Sequence, residues 1–305
     1  MASRRQGDSP AYAKGAGCGV AFSERMTTNL EHAREVGSGK RFEFGKNWQR
    51  FLAVLNEDRI LRAEASLKQA LRVETLAGKR FLDAGSGSGL FSLAARRLGA
   101  RVHSFDYDPA SVACTEELRR RYFPQDVSPE ASNWIVEPGS VLDRGYLDGL
   151  DMFDVVYSWG VLHHTGSLWP ALENVSRLVL PDGRLMIAIY NDQGTRSKRW
   201  LWVKRHYNRL PRPLRFPVLC GFLVGVHWKP FVAGALRGKP FEYVRKYGES
   251  RGMTLWRDLE DWVGGYPFEV AKPEELFDFY YARGFQLIHL RTTNSLGCNE
   301  LVFRL

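Results

Sequence analysis

The stretch Phe81-Leu-Asp-Ala-Gly85-Ser-Gly87-Ser-Gly89-Leu90 decides how the chain is read. A short apolar strand runs into three glycines at alternate positions, and a helical pattern resumes at Leu90. Glycines at the end of a strand let the backbone turn sharply and approach a ligand with no Cβ atoms in the way. The helix that follows offers its first N–H groups to that ligand. Asp106 ends the next strand, seventeen positions after Gly89, where a carboxylate accepts both ribose hydroxyls of a nucleoside. The dinucleotide fingerprint G-x-G-x-x-G counted from Gly85 needs a glycine at position 90, which is Leu90 here. The pattern is G-x-G-x-G, preceded by the acidic Asp83. That combination suits a nucleoside with a cationic amino-acid group better than one with a pyrophosphate.

Outward from this loop, strands and helices alternate. Strands are expected at Arg80 to Ala84, Arg101 to Phe105, Asn133 to Val136, Phe153 to Ser158 and, after the turn Pro181-Asp182-Gly183, Arg184 to Tyr190. Helices are expected at Leu90 to Leu98, Pro109 to Tyr122, Trp169 to Leu178 and Pro273 to Arg283. Phe285 to Arg291 and Asn299 to Phe303 are close enough to form a terminal hairpin. Such alternation implies a parallel sheet covered on both faces. Before the first strand, apolar residues from Trp48 to Leu76 recur at helical spacing, with a break near Asn56-Glu57-Asp58. A short helix is expected around Thr28 to Val36.

S-adenosylmethionine (SAM) fits the cofactor described above. On these segments the sequence resembles the class I SAM-dependent methyltransferases, and most of all the small-molecule branch that includes the quinone-biosynthesis methyltransferases. The segments are Phe81 to Leu90, Val102 to Pro109, Gly139-Ser-Val-Leu-Asp143, Phe153 to His164 and the turn at Pro181 to Gly183. The resemblance implies an α/β, Rossmann-like sheet of seven strands in the order 3-2-1-4-5-7-6 with the last strand antiparallel. An N-terminal helical cap and a helical insertion after strand five complete it. The expected divisions are a basic tail and cap over 1–47, a SAM-binding core over 48–191, an insertion or lid over 192–270, and completion of the core over 271–305.

The same resemblance assigns cofactor-binding residues. Gly85, Ser86, Gly87 and Gly89 would line the methionine and ribose, and Asp83 would help hold the methionine end. Asp106 would take the ribose hydroxyls and Tyr107 would flank the adenine. Gly139, Ser140 and Val141 would reach the adenine, and Ser158 would sit at the end of strand four beside the cofactor. Methyl transfer is an in-line displacement on an activated carbon, so alignment and desolvation do much of the work. A base is needed only where the acceptor must lose a proton. The segment after strand four offers His163 and His164, with Tyr190 on strand five, and histidine suits a base role near neutrality. His164 aligns with a histidine common at that family position, which makes His163 the better base candidate. Packing under the pocket is the alternative for either ring. Trp159, Asn191 and Asn299 are candidate acceptor contacts at the strand ends.

Other chemistries lack their residues. Ser158-Trp-Gly-Val161 stands where N6-adenine enzymes carry an Asp/Asn-Pro-Pro-Tyr/Trp run. No cysteine follows a proline, as a cytosine-5 nucleophile would. The two-glutamate loop of arginine methyltransferases is missing as well. Cys18, Cys114, Cys220 and Cys298 form no CxxC pair, so free thiols and no metal site are expected.

The chain of 305 residues carries a formal net charge of +9, which points toward anionic partners. Gly194 to Ser250 holds 13 Lys and Arg against 2 Asp and Glu, so the insertion accounts for the basic character. Lys198-Arg-Trp-Leu-Trp202-Val-Lys-Arg205 interleaves cations with aromatics, while Pro211, Pro213 and Pro217 are expected to break any long helix. Three uses remain open: a solvated helix pair, a dock on anionic membrane through 196–246, or a grip on an anionic acceptor, including RNA. No apolar run reaches the roughly 20 residues of a transmembrane helix, and no signal-peptide pattern opens the sequence. A cytoplasmic protein is expected, with peripheral association at the inner membrane face as an option. The expected activity is methyl transfer to a hydroxyl, carbon or amine of a small or lipid-linked molecule. An RNA methyltransferase and a non-catalytic SAM-binding module are the alternatives.

Overall fold

The computed structural model describes residues 29–127, 132–236 and 255–305. Seven strands form one sheet in the order β3-β2-β1-β4-β5-β7-β6. They are β1 (Arg80–Ala84), β2 (Arg101–Asp106), β3 (Trp134–Pro138), β4 (Phe153–Trp159), β5 (Val179–Tyr190), β6 (Gln286–Arg291) and β7 (Cys298–Arg304). The order is the one expected, and β7 runs antiparallel to both β5 and β6. Central strands are buried on both faces, so β1 reads as a nearly continuous buried run.

Helices cover both faces: α1 over 29–37, α2 (Gly45–Ala53), α3 (Glu57–Leu71), α4 (Leu90–Arg97), α5 (Pro109–Tyr122), α6 (Arg144–Asp148) and α7 (Leu168–Ser176). The insertion supplies α8 (Thr195–Arg209), α9 (Arg212–Leu236) and α10 (Leu255–Gly264), and α11 (Pro273–Tyr281) returns the chain to the sheet. One core packs Leu82, Val156, Ile187 and Phe303 with α7 and α11. The other packs Phe81, Val155 and Met186 with α3, α4 and α5. Alternate residues of β1 therefore serve opposite faces, as the two-residue period of a strand requires.

Local chemistry sets the helix starts. Asn56 caps α3 by accepting the Arg59 N–H at 3.1 Å, which places the break where the sequence put it. Asp108 caps α5 through the Ala110 N–H at 2.9 Å, with Pro109 at the first helical position.

Two expectations change. The turn at Pro181 to Gly183 does not precede β5 but lies inside it. The pairing with β4 jumps from Phe153↔Val179 to Val155↔Arg184, and Asp182 takes a φ of 62°. The turn is thus an irregularity absorbed by a longer strand. Pro213 and Pro217 do not break a helix either. Pro213 is the second residue of the 25-residue α9, where an N–H has no intrahelical acceptor to lose; Pro217 is the sixth and forgoes one bond, to Pro213 O, without ending the helix.

The insertion has a small core of its own, with Tyr207, Leu219, Leu259 and Val263 buried together. It locks onto the segment before α2 and onto the first turn of α2. Phe42 N–H donates to Tyr266 O at 2.8 Å, the Asn47 amide donates to Asp261, and the backbone of Gly264 packs on the Phe42 ring.

Candidate functional site

At the carboxyl ends of β1 and β2 the glycine loop is tied to Asp106. One carboxylate oxygen accepts the Gly87 N–H and the other the Asp108 N–H, each at 2.8 Å. A carboxylate offers about four lone-pair sites, so two remain for hydroxyl donors. Gly139 N–H donates to Asp106 O at 3.0 Å, bringing the end of β3 alongside. Asp106 is half-buried, and burial pushes its carboxyl up to about 7 despite the two N–H donors.

The three glycines have separate duties. Gly85, Gly87 and Gly89 all adopt positive φ, at 86°, 55° and 78°. A Cβ at Gly85 would collide with the Val161 side chain, and one at Gly89 would lie 2.8 Å from Thr115 Cα. These two serve close packing of the loop on its own protein. Gly87 faces the Trp48 indole, 3.2 Å from where its Cβ would be, so α2 roofs the loop at this point. Ser86 is buried, its hydroxyl 2.9 Å from that of Thr115.

Asp83 lies beneath the loop rather than in it. Only 2% exposed, it accepts the Ser92 hydroxyl. Ser92 accepts from Ser104, and Ser104 from the Trp134 indole N–H at 2.9 Å. Burial holds the Asp83 carboxyl up at about 7. Its nearest duty is thus to close a hydrogen-bond chain through the sheet. Ser158 is likewise internal, donating to Ala84 O at 2.8 Å and tying β4 to the end of β1.

On the β2–β3 side, Tyr107 lies under the cap. The Arg41 guanidinium sits 4.7 Å from its ring centroid and His32 meets its edge at 5.5 Å. Burial, then Glu35, raises the phenol to about 12. Gly139 leaves room for the Tyr146 ring, 2.5 Å from where a Cβ would stand. Ser140 turns its hydroxyl to the Leu142 N–H, and buried Val141 gives its carbonyl to Asn174.

The residues after β4 form an aromatic and imidazole cluster. The His163 and Tyr190 rings meet tilted, with centroids 4.0 Å apart, and His164 lies 4.5 Å from His163 and 4.9 Å from Phe44. His163 is fully buried, and its Nδ1 accepts the Tyr190 N–H at 3.4 Å. The proton of the neutral ring is then on Nε2, so His163 has no free lone pair for a base. This reverses the preference drawn from the sequence. His164 donates Nδ1–H to Pro267 O at 2.6 Å, which leaves the lone pair of Nε2. Burial lowers both rings, His164 to about 3 and His163 well below its ordinary range, so both are neutral at pH 7.

Asn191 and Asn299 face each other, not an acceptor. Asn299 donates to Asn191 Oδ1 at 3.1 Å, Asn191 donates to Thr293 O at 2.8 Å, and Thr293 N–H donates back to Asn299. They staple the exit of β5 to the hairpin turn. Trp159 is 43% exposed at the end of β4, with its indole N–H 3.4 Å from Glu300.

Three residues here have no reading from the sequence as site residues, His32, Arg41 and Trp48, and a fourth, Lys204, reads there only as one of the interleaved cations of the insertion. Lys204 is the most unusual. It is 1% exposed, donates to Trp262 O, and lies 5.0 Å from the Phe268 ring. Burial lowers its amine to about 7, opposed by Asp261. It is therefore not one of the surface cations of the insertion.

A seven-stranded sheet in this order, with a glycine loop after β1 and an acidic end to β2, defines a nucleoside-binding α/β domain of the class I methyltransferase kind. A family model for the methyltransferase domain matches residues 48–216, over half of the chain, and the protein belongs to that family. A tRNA U34 carboxymethyltransferase of Methylococcus capsulatus is 34% identical over 119 residues, 38% of this chain and 33% of that protein. A ubiquinone biosynthesis O-methyltransferase of Rhodopseudomonas palustris is 25% identical over 119 residues, 39% of this chain and 43% of that protein. The chain thus spans less than half the length of the curated relatives it matches. Among solved structures, the magnesium protoporphyrin IX methyltransferase of Synechocystis with bound SAM is similar at 11% identity and a TM-score of 0.46, covering 95% of this chain and 99% of that one.

Proposed function

We propose that this protein is a SAM-dependent methyltransferase that modifies a hydroxyl, carbon or amine of a small-molecule or lipid-linked acceptor. The observation that carries the reading is the Asp106 carboxylate, held by two backbone N–H groups at the end of β2 with lone pairs left for ribose hydroxyls. Tyr107 and Gly139 flank the adenine edge, and at Gly87, which has no Cβ, the ligand takes the place of the Trp48 indole. SAM, when bound, supplies a methyl group already activated on a sulfonium. Trp159 and Tyr190, at the ends of β4 and β5, bound the acceptor side.

The chain's own part is alignment and exclusion of water more than proton removal. A base with a pKa of about 3, as for His164, takes up a proton poorly at pH 7. Acceptors that need no strong base fit this cluster best. His164, through Nε2, is the ring left for a weaker base role.

Peripheral contact with an anionic membrane goes with a lipid-linked acceptor. No helix among the described residues is long and apolar enough to cross a membrane. Yet Val224, Trp228, Val232 and Leu236 form an i, i+4 ridge on α9, each about half exposed or more, as an interfacial helix requires. Residues 237–246 of the segment assigned to this contact lie outside the described residues. The expected location is the cytoplasmic face.

The second reading is an RNA methyltransferase. It is favoured by the 13 cations against 2 acids of Gly194 to Ser250 and by the tRNA relative named above. Calorimetric titration with SAM and, separately, NAD tests the cofactor, and labelled methyl transfer to lipid-linked acceptors and to bulk tRNA tests the acceptor. SAM binding with transfer to the lipid-linked class supports the proposal. Salt-dependent transfer to tRNA replaces its acceptor, and SAM binding with no transfer to any class points to a non-catalytic module. A response to NAD alone overturns the cofactor reading.

A further inference from the structure

A roomy cavity lies away from the glycine loop. About 900 Å³ opens between the N-terminal cap and the insertion, within the range of pockets for small organic ligands. Its two walls differ in origin but agree in charge. The cap and α2 supply Arg41, Lys46 and Arg50, and the insertion supplies Arg209 and Arg215. Against these five cations stand Glu43 and Glu260 in the wall and Glu35 behind it, paired with Arg41, so positive charge is still in excess. Glu43 is paired with Lys46 at 2.7 Å.

Two of the cations are fixed in place. Arg215 donates Nε–H to Leu210 O at 3.0 Å and an Nη2–H to Asn208 O at 2.8 Å, anchoring it on the last carbonyls of α8. Arg41 is held by Glu35 at 2.6 Å and by His164 O at 3.0 Å. Pinned guanidiniums lose little entropy when they meet an anion. The floor is apolar: Phe216 and Trp256 meet at 5.3 Å between ring centroids, with buried Leu219 beside them. Phe216 is 63% exposed, which leaves a large aromatic face at the cavity without a cover.

We infer that this cavity binds a single amphipathic anion, with its charged head on the arginines and its apolar body on Phe216 and Trp256. Excess positive charge selects the head, and the aromatic floor selects against a bare inorganic ion. The cleft has walls from two parts of the chain and a volume of about 900 Å³, which suits one molecule better than an extended polyanion. The α9 ridge offered to a bilayer uses other residues, so membrane contact and this site are separate. The inference does not rest on the methyl-transfer reading.

The probe is octyl phosphate below its micellar concentration, titrated calorimetrically into the full chain. Inorganic phosphate supplies the head alone and octyl glucoside the body alone. Saturable one-to-one binding of octyl phosphate is expected, at least tenfold tighter than either control. Arg50→Gln with Arg209→Gln should weaken it tenfold or more, in line with loss of charge-assisted contacts. Phe216→Ser should bring octyl phosphate close to the affinity of inorganic phosphate. SAM titration of the same variants should match the native protein, which separates loss of this site from loss of the fold. Equal binding of octyl phosphate and inorganic phosphate, or full retention by the double variant, overturns the inference. So does binding confined to phosphatidylglycerol vesicles with none to the monomeric amphiphile. Octyl phosphate binding by a protein that ignores SAM supports this site while removing the cofactor reading.

Discussion

SAM affinity should tighten about tenfold between pH 6 and pH 8, and Asp106 is the reason. Its carboxyl is pushed up to about 7 by burial. Ribose hydroxyls donate to the ionised form, so binding competes with the proton. For a group titrating near 7, the ionised fraction rises from roughly one tenth at pH 6 to nine tenths at pH 8. The dissociation constant should fall in the same proportion, ~1.4 kcal/mol, and level off above pH 8. Asp83 is also raised to about 7, but it is turned to Ser92 beneath the loop, so a single proton should dominate. Asp106→Asn separates the two. It removes the titrating group and sets an amide nitrogen against the N–H of Gly87 or Asp108, so binding should weaken by ~2–3 kcal/mol. The remaining affinity should be flat from pH 6 to 8. Calorimetry in buffers of matched ionic strength reads both quantities. A native constant that does not move with pH, or an Asp106→Asn variant that keeps the native slope, would refute the ribose-binding role.

Gly89→Ala should cost ~2–4 kcal/mol of stability in urea unfolding, combining a left-handed backbone with a Cβ placed 2.8 Å from Thr115 Cα. Gly145→Ala, with its nearest neighbour at 3.5 Å, is the control and should not destabilise. Lys204→Met should flatten the pH dependence of stability. The native amine is lowered to about 7 from 10.5, so the folded state holds fewer protons than the unfolded state between these values and stability rises with pH across that window. The native protein should gain ~2–3 kcal/mol relative to the variant from pH 7.5 to 9.5, and parallel urea midpoints at the two pH values would sink the assignment. Asn299→Ala should destabilise by ~1–3 kcal/mol, because Asn191 and the Thr293 N–H lose a buried partner. SAM affinity and the acceptor KM should stay unchanged, and a selective rise in the acceptor KM would restore an acceptor-side role.

Most of the sheet was legible because its signals are local. Asp108-Pro109 and Asn56 announce the starts of α5 and α3 in the residues themselves. The glycine loop and Asp106 could be read for the same reason, since strand ends and their spacing place them together. The histidine roles could not. Which nitrogen of His163 carries the proton depends on the Tyr190 N–H, 27 positions away, and that of His164 on Pro267 O, 103 positions away. Asp83 reads as a ligand residue in any one-dimensional pattern, yet its partner chain runs through Ser92, Ser104 and Trp134 on three other elements. Lys204 carried a signal that a charge count hides. Ser197, Lys204, Tyr207 and Asn208 share the buried face of α8 at helical spacing, so the period that marks Tyr207 as inward also turns the lysine inward.

The N-terminal cap ties the cofactor end of the sheet to the insertion. Asp108 caps α5, accepts the Gly45 N–H of α2 at 2.8 Å and stands 3.7 Å from buried His32. The cap is therefore docked two residues from Asp106, on the same turn. Trp48 roofs Gly87, and Arg41 covers the Tyr107 ring while reaching His164 O. From the other side, Asn47 and Phe42 bind the cap to α10 and Tyr266. A ligand lying across Gly87, Asp106 and Tyr107 would have to displace Trp48 or Arg41, and both belong to the segment that also walls the arginine-lined cavity. Coverage of Asp106 and the shape of that cavity are consequently set by one piece of chain. Any movement of the cap that admits a nucleoside changes the spacing between Arg41 and Arg215, so the two sites are linked through backbone that neither ligand needs to touch.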